Sequence, residues 1–206
     1  LSGGFILKYC KWLLLIGVLL SYFITPYFPV SWGWENSILE WMQVVILTLG
    51  LLLTYVWWQE ARSAGDTSTA RFLMWAVPLW VLMIGRELSW GRVFYPSGFH
   101  PIDGPSFLSL SQLPYGAVVN PLIAVIIVVW LFGVIKYRLY KVPYSLVKEH
   151  KFPVTALVIT IFAFASAELG ERHLHLQNME EFDECFAYLG LILTAYCVKN
   201  ALRKTI

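Results

Sequence analysis

The apolar residues of this chain come in long blocks, and the polar residues gather in the intervals between them. A helix needs roughly 20 mostly apolar residues to cross the hydrocarbon of a bilayer. Six segments meet that length, at about 5–25, 37–58, 71–89, 116–136, 153–170 and 182–200. The third and fifth each carry charge at their far ends, and Pro78 is expected to kink the third, which membrane helices tolerate. The pattern predicts an all-α polytopic membrane protein, with residues 1–206 forming a single transmembrane domain, a bundle of six helices. The opening stretch KYCKWLLLIGVLLSYFITPYF has lysines before an apolar run, with no small-x-small cleavage site after it. It is expected to be a retained first span.

Composition sharpens this class. The 206 residues are 58% hydrophobic and only 14% charged, against about 25% charged in soluble domains. The mean hydropathy is +0.65. An ordinary soluble domain is excluded, and no nucleic-acid partner is expected. Of three cysteines, Cys10 and Cys197 fall near one face and Cys185 near the other, so no disulfide framework is expected.

Net charge is only +2, but its distribution orients the chain. Cytoplasmic loops carry an excess of Lys and Arg. With six spans, one side holds both ends of the chain and the loops near 59–71 and 136–152. Twelve of the fifteen basic residues lie there; the other side has only Arg86, Arg92 and Arg172. Ten of the thirteen acids lie on that other side, a formal −7. Both termini are therefore expected in the cytoplasm, in a bacterial inner membrane. Trp32, Trp34, Trp41 and Trp90 fall at the outer boundary and Trp57 and Trp58 at the inner, as interface anchors do. The longest connection, about 90–115, is rich in proline, glycine and aromatics, so it cannot form a long helix. It is expected to fold back as a cap on the outside, between spans 3 and 4.

The outer boundary is where chemistry gathers. Residues 167–185, AELGERHLHLQNMEEFDEC, hold six acids, two histidines and an arginine. Some acids have a simple explanation. Ser37-Ile-Leu-Glu40 has the capping-box spacing and Asn178-Met-Glu-Glu181 resembles it, and acids in a first helical turn suit the dipole. Glu40, Glu180 and Glu181 are read that way; Glu184 lies too deep for it. Glu87 and Glu168 differ, because they end helices where the dipole disfavours negative charge, near hydrocarbon. Each needs compensation by an arginine, a histidine, a cation or a proton. A structural clamp of Glu168 with Arg172 at i,i+4 is one form of it.

If the fifth helix runs on, Glu168, Glu171, Arg172 and His175 share one face. Glu171 and His175 could then ligate a divalent ion, with His100, His173 and Glu184 as further ligands. Carboxylates with imidazoles suit zinc, manganese or iron. No H-E-x-x-H or C-x-x-C is present, and no G-x-S-x-G frames Ser89 or Ser166. Haem is not expected, since His100, His173 and His175 sit at the outer edge and His150 on the inner side.

Three functions fit these residues. The leading one is a membrane-embedded, metal-dependent enzyme, such as a hydrolase, acting on a lipid or lipid-linked substrate. Glu87 and Glu168 would do acid–base work, with Arg86, Arg92 and Arg172 gripping a phosphate headgroup. The second is a cation or proton transporter with an acidic outer vestibule. The third is a non-catalytic subunit or receptor whose acidic face docks a basic partner. Membrane lipids, a partner subunit or a second copy of the chain are the expected partners.

Overall fold

The computed structural model describes residues 3–101, 104–174 and 176–203. Seven α-helices account for most of them: α1 (Gly3–Ile24), α2 (Ile38–Ser63), α3 (Thr67–Glu87), α4 (Gly116–Lys136), α5 (Lys141–Lys148), α6 (Val154–Leu169) and α7 (Gln177–Arg203). All but α5 are long and apolar enough to cross a membrane. The chain is a multi-pass membrane protein of the all-α class. Only 6% of the most apolar stretch of α4 is buried within the protein, and its exposed side is almost wholly apolar, as a lipid-facing surface is.

The six expected spans are all present, but their ends move where local hydrogen bonding outweighs hydropathy. Helix α3 begins at Thr67 instead of about 71, because the Asp66 side chain accepts from the Thr69 amide at 2.9 Å. It stops at Glu87, because Ser89, Trp90 and Gly91 all take positive φ (43°, 55° and 88°). Helix α7 begins at Gln177 instead of about 182, so Glu180 to Glu184 lie inside a helix. The loop expected near 136–152 contains the short helix α5, which buries Leu146. The long connection forms short 3-10 turns and two paired strands, β1 (Pro96–His100) and β2 (Gly104–Phe107).

Contacts group the chain into two compact units. The first gathers α1, α2 as far as Ile46, Phe99–Pro105, and Pro153–Thr194. Its centre is Val18, Ala163 and Ala187, packed against Phe164 and Phe186. Small residues let the backbones approach. A Cβ on Gly17 would lie 2.4 Å from the Phe186 ring, and one on Gly190 would lie 2.4 Å from Thr160 Oγ1. Such contacts drive helix association where water supplies no hydrophobic force. In this unit the tip of the expected cap docks on the stretch before α2. Phe99 meets the Trp34 ring edge-on at 5.6 Å. Gly104, at φ 82°, leaves no room for a Cβ against the same indole.

The second unit gathers Leu47–Gly98, Ser106–Phe152 and α7 from Ala195. Trp80 Nε1 donates to Thr54 Oγ1 at 2.9 Å, tying α3 to α2, and Gly50 admits the Trp80 ring. Trp75 lies over Gly133 of α4, and Trp130 Nε1 donates to the Trp75 carbonyl at 2.8 Å. Lys199, largely buried, donates to Glu60 at 2.7 Å and lies over the Trp57 ring.

Candidate functional site

The most deeply buried ionisable side chain of the first unit is Asp183, with 0% exposure. It sits on α7 six residues past Gln177, about 9 Å along the axis. That is beyond the first turn, where the helix dipole would favour its charge. Two hydroxyls reach its Oδ2. Ser166 Oγ of α6 donates at 2.6 Å, and Ser21 Oγ of α1 donates at 3.1 Å. Ser21 Oγ also lies 2.7 Å from the Val18 carbonyl. A hydroxyl has a single hydrogen, so Ser21 has two acceptors competing for it. Thr25 Oγ1 donates to the Ser21 carbonyl at 2.8 Å and fixes this turn of α1. Asp183 Oδ1 is buried with no hydrogen-bond partner.

The helices present these residues by simple periodicity. On α6, Ala156, Ile159, Thr160, Ala163 and Ala167 form the buried stripe, and Ser166 borders its far end. On α1, Leu14, Val18 and Ser21 are buried at helical spacing, and the buried Thr25 follows just past the helix end. Small buried residues, Ala163 and Ala167 on α6 and Ala187 on α7, let the helices approach closely in this region.

A second polar contact lies nearby along α7. Gln43 of α2, at 0% exposure, spends both amide hydrogens on Glu181. They go to the Glu181 carbonyl at 2.9 Å and to Oε2 at 2.8 Å, while Gln43 Oε1 has no partner. Glu181 is thus tied to α2 and does not close a capping box. Asn178 lies inside α7 and directs Nδ2 at the carbonyls of Phe28 and Pro29, at 3.4 and 3.3 Å. At the start of α2, Glu40 accepts from the Asn36 amide at 2.6 Å, one residue earlier than the capping-box pattern requires, and Ser37 donates to the Trp32 carbonyl.

The residues singled out in the sequence are placed as follows. In the first unit Arg172 pairs with Glu168 at i,i+4, with side chains 69% and 54% exposed. Helix α6 gives way to a π-turn at Gly170–Leu174, so the 3.6-residue register assumed for 168, 171, 172 and 175 ends at Leu169. Glu171 is exposed in that turn, which also contains His173; His175 lies outside the described residues. His100 is exposed on β1, and Glu184 is buried on α7. Among the described residues, no three His, Cys, Asp or Glu side chains are grouped so as to hold a metal ion. Glu87, Arg86 and Arg92 belong to the second unit. Glu87 is 8% exposed, and Arg86 Nε lies 3.8 Å from its Oε1.

The Asp183 set was visible in the sequence only as isolated polar letters in apolar runs: Ser21 in LLSYF, Gln43 in WMQVV, Ser166 in FASAE. An ionisable residue inside a membrane helix is by default a functional candidate. A carboxylate with two hydroxyls offers only oxygen, which suits a proton or a hard cation better than thiophilic metals.

These observations define a class, a multi-pass membrane protein with a buried carboxyl site among three helices. No family model, curated protein or solved structure matches the chain.

Proposed function

We propose that the protein is a membrane carrier that binds a proton, or a small hard cation in its place, at Asp183. The observation that carries this reading is the wholly buried carboxyl with one oxygen unpartnered and two serines on the other. A lone ionised carboxylate in hydrocarbon is costly unless something balances it. Two hydroxyls solvate the charge without cancelling it, so the balance is a proton or a cation that comes and goes. Ser21 supplies a two-position device. Its hydrogen turns to Oδ2 when the carboxylate is bare, and to the Val18 carbonyl when Asp183 is loaded. Ser21 Oγ is then free to accept the proton of the carboxyl or to ligate the cation.

Orientation follows from the charge distribution. The positive-inside rule puts the start of α7 outward. Glu40 and Glu180, in the first turns of α2 and α7, then form an acidic approach that concentrates cations before they reach Asp183.

A hydrophobic carbodiimide tests the site directly, because it reacts with protonated carboxyls in apolar surroundings. Labelling at Asp183 is expected in the wild type and absent in Asp183→Asn. Protection by Na+ at constant pH identifies a metal cation as the ligand; protection by raised pH alone identifies a proton. Wild-type protein that takes no label at Asp183 at any pH would sink the proposal.

The lipid-enzyme reading keeps one specific support, the buried Glu87 beside Arg86 and the left-handed turn at Ser89–Gly91. Backbone strain of that kind gathers at functional sites. Unchanged turnover of a candidate lipid by Glu87→Gln removes it.

A further inference from the structure

In the first unit a groove of about 610 Å³ runs between α1 and α6. Its body is apolar, with Val158 and Phe162 of α6 on one wall and Trp12 of α1 on the other. Lys8 and Lys11, also on α1, and Thr155, in the first turn of α6, line it too. The basic residues and the hydroxyl therefore come from the early turns of both helices. The volume falls within the roughly 300–1,000 Å³ of small-molecule sites. Among the described residues neither lysine takes part in an ion pair. Two cations without a counter-charge, at one end of an apolar slot, call for an amphiphile with an anionic head.

We infer that this groove is a binding site for an anionic phospholipid, with an acyl chain along Trp12, Val158 and Phe162 and the headgroup phosphate on Lys8 and Lys11. Three features match that occupant. The walls are apolar along the direction an acyl chain takes in a bilayer. The charge stands at one end, near the start of α1, as a headgroup requires. Thr155 lines the groove in the first turn of α6 and carries a hydroxyl, a group that can donate to a phosphate oxygen. Basic pockets between membrane helices are suited to such headgroups, and each lysine near the surface contributes about 1 kcal/mol, or roughly fivefold in affinity. The groove carries this occupant whether or not Asp183 moves a cation.

The test is native mass spectrometry of the whole protein in mild detergent, with equal amounts of phosphatidylglycerol and phosphatidylcholine. Wild type is expected to retain phosphatidylglycerol with a preference of roughly 25-fold, about fivefold for each lysine. Lys8→Gln/Lys11→Gln should bring the two lipids to near parity, since roughly fivefold is lost with each lysine. Lys8 is exposed and Lys11 half-exposed, so this change leaves the helix packing intact. Val158→Trp, which fills the slot from an exposed position, should reduce retention of both lipids. A preference that survives the double lysine change would overturn the assignment. So would a Val158→Trp protein that holds lipid as wild type does. Displacement of the lipid by excess inorganic phosphate would show that the lysines bind the phosphate ion alone, and would equally overturn it.

Discussion

Asp183 and Gln43 are buried to the same extent but carry different consequences. Asp183 has an unpartnered oxygen and two hydroxyl donors, a set suited to a ligand that comes and goes. Asp183→Asn keeps the volume and removes the charge, so the fold is expected to survive while proton or cation flux in proteoliposomes falls to background. Ser166→Ala removes the shorter of the two hydrogen bonds. It should lower flux without abolishing it, because Ser21 still reaches Oδ2. Gln43 is a tie between helices. Gln43→Ala leaves the Glu181 carboxylate without its donor and should cost about 1–3 kcal/mol, seen as a lower melting temperature in detergent with flux retained. Glu168 and Arg172 are more than half exposed, and pairs of that kind contribute about 0–1 kcal/mol. Glu168→Gln is therefore expected to melt within a few degrees of wild type.

At the scale of elements, the first unit depends on how closely α1 and α6 approach α7. Gly190 faces Thr160 and Gly17 faces Phe186 with no room for a Cβ. Gly190→Leu forces α6 and α7 apart, and overpacking of this kind costs about 1–3 kcal/mol. The same separation lengthens the Ser166–Asp183 contact, so the variant is expected to lose both melting temperature and carbodiimide labelling. Gly190→Ala should show a milder form of both. The acids of α7 are also an element-scale matter. Capping accounts for an acid in a first turn, but Glu181 points into a buried amide and Asp183 into a serine pair. Residue spacing alone does not distinguish these fates, because the partners come from α1, α2 and α6.

For the whole molecule, the charge asymmetry makes a prediction about sidedness. With the three free cysteines, Cys10, Cys185 and Cys197, replaced by alanine, single cysteines report each face. Ser145→Cys on α5 and Ser97→Cys on β1 are expected to react with an impermeant maleimide from opposite sides of a sealed membrane. Labelling of both from one side would mean that the span count or the orientation is wrong. If both behave as expected, the acidic starts of α2 and α7 face outward, and the basic end of the α1–α6 groove faces the cytoplasmic leaflet.

The sequence by itself determined the membrane class, the six apolar helices and the asymmetry of charge. These follow from block length, composition and residue counts, which require no partner across space. It also singled out Glu168 and Arg172 as a possible clamp, because i,i+4 neighbours meet on any helix. Only the tertiary structure decided which polar residues share a site. Ser21 and Asp183 are separated by 162 positions, and Gln43 and Glu181 by 138, so no local period links them. The tertiary structure also decided the helix ends, through the Asp66 cap and the left-handed turn at Ser89–Gly91, since backbone hydrogen bonds and φ angles are invisible to hydropathy. The physical reason is the same throughout. Burial in lipid is a property of a segment, whereas satisfaction of a buried polar atom is a property of what several segments bring together.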